Sequence, residues 1–89
     1  MPATNIARAV PHLTVYARTY CHLCDDMIAA LQLLQGRFAF DVNVVDVDTD
    51  TALETQFGEK VPVLAHGDHE LCHYFFDEPV VTAYLSNLR

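Results

Sequence analysis

The sequence predicts a single α/β domain: one mixed four-stranded sheet with helices on both faces, in the order βαβαββα. Three observations predict it. The apolar period switches from two residues to three or four and back again along the first half of the chain. In the second half, a Gly67-Asp68 turn separates two short apolar runs, which is hairpin chemistry. Finally, 89 residues that are 52% hydrophobic and 19% charged suffice for one compact core and leave no room for a second domain.

Residues 1–11 read as a flexible arm, with Pro2, Asn5 and Pro11 and no apolar period, so the folded domain is expected over 12–89. Leu13, Val15 and Ala17 then alternate as the buried face of a first strand over 12–17. From Cys21 to Gln35 the spacing of Leu23, Met27, Leu31 and Leu34 predicts a helix, with Gly36 as a left-handed terminator. Phe38, Phe40, Val42 and Val44 alternate as a second strand over 38–47. Thr51 and Glu54 have capping-box spacing, which predicts a short helix over 51–57 stopped by Gly58. Strands over 61–65 and 70–74 flank the turn at His66-Gly67-Asp68-His69, whose histidines are expected in solvent. Asp77 and Pro79 open a last helix that buries Val81, Tyr84, Leu85 and Leu88. Strands joined through a helix should pair in parallel by a right-handed crossover, and the last two should be antiparallel.

Twelve acidic residues against five Lys plus Arg give a formal charge of −7, which argues against a nucleic-acid partner and against anionic membrane surfaces. No apolar run approaches the roughly 20 residues needed to span a bilayer, and residues 1–11 lack a secretory pattern. A soluble, cytoplasmic monomer is the expectation. Phosphate loops, Ser-His-Asp orders and paired catalytic carboxylates are absent from the sequence. Asp46-Val47-Asp48-Thr49-Asp50 opens like a calcium loop, but Thr51 replaces the required glycine and Phe57 the twelfth-position glutamate. It reads as a strand end and helix cap.

Three cysteines are too few for a secreted disulfide framework, yet two of them form Cys21-His22-Leu23-Cys24 where the first strand meets the first helix. Free N–H groups and the positive end of the helix dipole favour a thiolate there. Cys21 is therefore the candidate attacking thiol, and Cys24, one turn further in, the resolving one. Arg18 and His22 would support an anion at Cys21, while Asp25 and Asp26 oppose it and suit the first helical turn.

A Cys-x-x-Cys at this junction, followed about forty residues later by Val61-Pro62 opening the third strand, resembles the thioredoxin superfamily. The short chain is most similar to small glutaredoxin-like proteins, and the likeness runs from about His12 to Leu88. It implies a thioredoxin-like, glutaredoxin-type fold and thiol–disulfide oxidoreductase activity. It also implies a cis Val61–Pro62 peptide facing the cysteines, with Val61 offering backbone hydrogen bonds to a thiol substrate. Arg18 stands where glutaredoxins often place a lysine that contacts a glutathione carboxylate. His22 and Leu23 replace the usual Pro and aromatic residue, and Cys72-His73 stands roughly where a Gly-Gly pair forms part of the glutathione site.

The expected substrate-binding residues are thus Arg18, His22, Leu23, Val61, Pro62, Cys72 and His73, beside catalytic Cys21 and Cys24. The expected partners are protein or small-molecule disulfides. No tightly bound cofactor is expected, and glutathione is a candidate co-substrate used weakly. The alternative reading is a non-catalytic metal- or protein-binding module on the same fold, with zinc on Cys21, Cys24, Cys72, His22 and His73, or a cluster shared between subunits. The plainest reading of Cys72 is a small hydrophobe in a strand.

Overall fold

The computed structural model describes residues 10–88; the arm expected over 1–11 lies, but for its last two residues, outside them. Strand β1 spans His12–Ala17, helix α1 His22–Leu34, strand β2 Asp41–Asp46, helix α2 Thr51–Phe57, strand β3 Val63–His66, strand β4 His69–His73 and helix α3 Glu78–Asn87. A 3-10 turn at Val47–Thr49 joins β2 to α2. The strands form one sheet in the order β2-β1-β3-β4, with β1 and β2 parallel and the other pairs antiparallel.

Alternation in β1 assigns the faces. Leu13 and Val15 are completely buried and join Met27, Leu31 and Leu34 of α1 and Val81 and Leu85 of α3 in one core. Tyr16 points the other way and stacks on Phe57 of α2, with ring centroids 4.0 Å apart. Helices α1 and α3 therefore cover one face and α2 the other. In β4 the neighbours Leu71 and Cys72 are both buried, which strict alternation forbids. A register shift resolves this: Leu64 pairs with Cys72 but Ala65 with Glu70, so Leu71 is the extra residue of a bulge.

Several local expectations are corrected. Gly36 does not take a left-handed φ; α1 ends by tightening, with the N–H groups of Gly36 and Arg37 donating to the carbonyls of Leu33 and Leu34 at 3.1 and 2.9 Å. Gly67, at φ 60° in the β3–β4 turn, is the glycine that needs its freedom. Strand β2 begins only at Asp41 and lies at the sheet edge, so Val44 is exposed while Phe40, ahead of the strand, is buried. The cap of α2 is Asp50, whose side chain accepts the Ala52 N–H at 2.8 Å, and Glu54 turns to Arg18 instead of completing a capping box. Asp46 caps the 3-10 turn by accepting the Asp48 N–H at 2.9 Å. His66 and His69 are not simply solvated. The Nδ1 of His66 bonds the Tyr84 hydroxyl, and His69 stacks on the same ring at 5.2 Å. Tyr84 and Leu88 are half-buried, leaving Val81 and Leu85 as the buried face of α3. No helix among the described residues is long and apolar enough to cross a membrane.

Candidate functional site

The strand directions bring one end of the sheet together. Strands β1, β2 and β4 run the same way and β3 opposes them. The segments leaving β1, β2 and β4 therefore share an edge with the segment entering β3. Along that edge lie Arg18 to Cys24, Asp46 to Asp48, Val61-Pro62, and Tyr74 to Asp77.

Cys21 is the N-cap of α1, with extended backbone at φ −120° and ψ 107°. Its Sγ accepts the Cys24 N–H at 3.1 Å, and its carbonyl accepts the Asp25 N–H at 3.1 Å. Sulfur thus occupies the place where a Ser or Asp oxygen would normally receive an orphan N–H of the first turn. The two sulfurs are joined as a disulfide, with Cα atoms 5.2 Å apart, inside the ordinary range of about 4.4–6.8 Å. Exposure divides the pair: Cys24 is 1% exposed and Cys21 half-buried.

The turn before Cys21 ends in Tyr20, a fully exposed aromatic residue at φ 58°. A left-handed conformation costs a residue bearing Cβ about 1–2 kcal/mol, and such strain clusters at functional turns. Among the described residues, Tyr74 is the other non-glycine residue of this kind, at φ 64° where the chain leaves β4. Its hydroxyl donates to the Glu59 carbonyl at 2.8 Å, and Phe75 beside it is 69% exposed. Sequence reasoning missed these aromatics. Tyr20 carried a signal in its position next to Cys21, whereas the positive φ of Tyr74 carried none.

The Val61–Pro62 peptide is cis. Pro62 is fully buried, and its carbonyl accepts the Tyr74 N–H at 2.9 Å. Among the described residues, neither the N–H nor the C=O of Val61 makes a backbone hydrogen bond. Val61 and Cys21 pack against the same core cluster.

Arg18 is placed differently from the expectation that it would serve Cys21. Its Nε and Nη2 donate to the Asp48 carboxylate at 3.1–3.2 Å, Nη2 also reaches Glu54 at 3.1 Å, and Nη1 donates to the Gly58 carbonyl at 3.3 Å. These bonds, above all those to Asp48, hold its pKa above the usual value. The guanidinium ties β1 to the 3-10 turn and α2. Gly58 is required at this junction, since a Cβ there would lie 2.5 Å from the Glu54 carbonyl oxygen. Lys60, the other Lys or Arg near this edge among the described residues, is paired with Glu70 at 2.6 Å.

His22 is exposed and Leu23 half-buried, beside the disulfide. Cys72 is 9% exposed and belongs to the core cluster rather than an open groove, and burial pushes its thiol pKa up. His73 is exposed, and its Nδ1 bonds Glu70 at 2.7 Å. The zinc set of the alternative reading is not assembled: among the described residues, no three or more His, Cys, Asp or Glu side chains converge as metal ligands.

Glu70 is gripped from both sides, by Lys60 first and His73 second, which holds its carboxyl below its ordinary 4.5. A depressed folded pKa adds stability above the unfolded value that is lost as pH falls through the folded one. The melting temperature of wild type should therefore exceed that of Glu70→Gln at pH 7, and the gap should close on acidification below about pH 4. A gap independent of pH would refute the ionic origin.

The family model for the Glutaredoxin-like domain (DUF836) matches residues 12–86. No curated protein matches the chain. The solution structure of protein Ne2328 from Nitrosomonas europaea is similar at 43% identity and TM-score 0.80, covering 86% of this chain and 93% of that one. The X-ray structure of protein XcR50 from X. campestris is similar at 37% identity and TM-score 0.63, covering 86% and 99%. The germline-specific thioredoxin protein Deadhead from Drosophila melanogaster, at 19% identity and TM-score 0.59, covers 99% and 90% and shares the fold. With a mixed four-stranded sheet, three helices and a disulfide-forming Cys21-x-x-Cys24 pair for redox-type thiol chemistry, this chain belongs to the glutaredoxin-like domain family.

Proposed function

We propose that the protein is a thiol–disulfide oxidoreductase in which Cys21 attacks and Cys24 resolves. In the reduced protein the Cys21 thiolate attacks a substrate disulfide R–S–S–R′. A Cys21–S–S–R bond forms and R′–S⁻ leaves, taking a proton from solvent. The Cys24 thiolate then attacks the Cys21 sulfur, closes the Cys21–Cys24 disulfide and expels R–S⁻. The substrate gains two electrons, the cysteine pair loses two, and an external thiol reductant must restore the pair. The observation that carries this reading is the asymmetric pair at the helix start: Cys21 caps α1 and reaches the surface, while Cys24 is buried one turn behind it.

The unengaged backbone of Val61 supports pairing with an extended substrate segment beside Pro62. Glutathione is a poor fit as co-substrate, because Arg18 and Lys60 are already engaged by carboxylates. Protein or dithiol partners are the better candidates, the reducing cytoplasm is the setting that keeps the pair cycling, and no tightly bound cofactor is required. The test is to mix the reduced protein with hydroxyethyl disulfide and follow thiol loss. Two thiols per chain should be consumed much faster in the folded protein than in the same chain in urea; equal rates would overturn the proposal.

A further inference from the structure

Cys24 borders a cleft of about 200 Å³ whose other walls include Ala17, Arg18, Asp25, Val44 and Asp46. Asp25 lies one helical turn after Cys21, its N–H donating to the Cys21 carbonyl at 3.1 Å, so the charge of the cleft acts on what is exchanged at Cys21. The one cation of the cleft is countered from outside it, because Arg18 bonds Asp48 twice through Nε and also Glu54. The carboxylates of Asp25 and Asp46 meet no cationic side chain among the described residues. Among the described residues, the Asp46 carboxylate accepts only the Asp48 N–H. Asp25 and Asp46 thus line the cleft while Asp48 and Glu54 hold its guanidinium, beside apolar Ala17, Ile28 and Val44.

We propose that this centre selects disulfides carrying a cation within a few bonds of the sulfur, as on a cysteine flanked by Lys or Arg, and disfavours anionic ones. The inference rests on the exchange reaction above and assigns its substrate class. An ammonium approaching Asp25 and Asp46 is attracted before and during attack, whereas a carboxylate is repelled. Such steering is a low-salt effect that falls within a Debye length of about 10 Å at 0.1 M. The chemistry is unchanged: Cys21 takes one half of the disulfide and releases the other as a thiol. Cys24 then displaces the retained half, so one cationic disulfide becomes two thiols as the pair is oxidised.

Three probes of similar size separate charge from shape: cystamine (two ammonium groups), hydroxyethyl disulfide (neutral) and dithiodiglycolate (two carboxylates). Each rate with the reduced protein is divided by the rate of the same probe with dithiothreitol, which removes intrinsic electrophilicity. At low salt cystamine should exceed dithiodiglycolate by about tenfold or more, with the neutral probe between them. The ratio should shrink in 0.5 M salt, and fall in Asp25→Asn and Asp46→Asn. Asp68→Asn, which removes the same charge at the distant hairpin turn, should leave it nearly unchanged. A Lys-flanked peptide disulfide should outrun its Glu-flanked counterpart in the same order.

A ratio near one, or equal effects of Asp68→Asn and Asp25→Asn, would overturn the selectivity. All three probes reacting no faster with the folded protein than with its urea-unfolded chain would instead overturn the exchange reaction itself.

Discussion

Replacing Cys21 by Ser should abolish disulfide exchange, while Cys24→Ser should leave attack intact and stop the reaction at a mixed disulfide. The asymmetry follows from where the fold places the two sulfurs. As N-cap of α1, Cys21 receives an N–H bond from Cys24 at 3.1 Å and is partly exposed, so on the proposed reading a thiolate formed there would be both favoured and reachable. Cys24 is 1% exposed and meets an incoming disulfide only through Cys21. Serine can still cap the helix, so the loss in Cys21→Ser is one of chemistry rather than folding. Mass spectrometry of Cys24→Ser after reaction with hydroxyethyl disulfide should show one mercaptoethanol adduct on Cys21. Cys72 provides the internal comparison. It lies in the core, where burial raises its pKa by more than a hydrogen bond with the Asp77 backbone lowers it. In the reduced wild type, Cys21 should alkylate fastest near neutral pH and Cys72 slowly. Equal rates for all three thiols, or full turnover by Cys21→Ser, would end the assignment.

What could be read in the sequence follows from which interactions are local. Period-two burial in β1 and the spacing of Met27, Leu31 and Leu34 in α1 are properties of the chain within a few residues, and both are found where the sequence places them. The same holds for the Asp77 cap of α3, which accepts the Val80 N–H at 3.2 Å. Partner choice between distant segments was not legible. Arg18 and Glu54 are 36 positions apart, and nothing local says that they meet. Their ion pair moves Arg18 from the thiol it was expected to serve, and it removes Glu54 from its capping box. Asp50 could take over the cap because it immediately precedes the helix. Val44 fails as a core residue because β2 is an edge strand, and strand order is a global property. His66 and His69 gain a partner in Tyr84, on a helix the local sequence could not dock. At the site, the Cys21 and Cys24 positions and Val61-Pro62 were readable as spacing. The engaged state of its cations and the exposed Tyr20 and Phe75 required the folded chain.

Truncating Leu31 to Ala should destabilise the protein by about 2–5 kcal/mol, the usual range for a large aliphatic residue removed from a packed core. Leu31 is completely buried, in the C-terminal half of α1, within the cluster that includes Leu13 and Val15 of β1 and Val81 of α3. Its loss removes transfer free energy and leaves a void between sheet and helix that neighbours in regular structure fill poorly. A domain this small has about 5–10 kcal/mol in total, so the change consumes a large share of it. Leu33→Ala is the matched control, since Leu33 is 81% exposed on the same helix and its truncation should stay within about 0.5 kcal/mol. The redox pair ties the site to this packing, because Cys24 and Leu31 lie on the same buried stripe of α1. Urea titration of oxidised and reduced protein measures both changes. If Leu31→Ala and Leu33→Ala shifted the midpoint equally, α1 would not be docked through the Cys24, Met27, Leu31 and Leu34 face, and the seating of Cys24 behind Cys21 would fall with it.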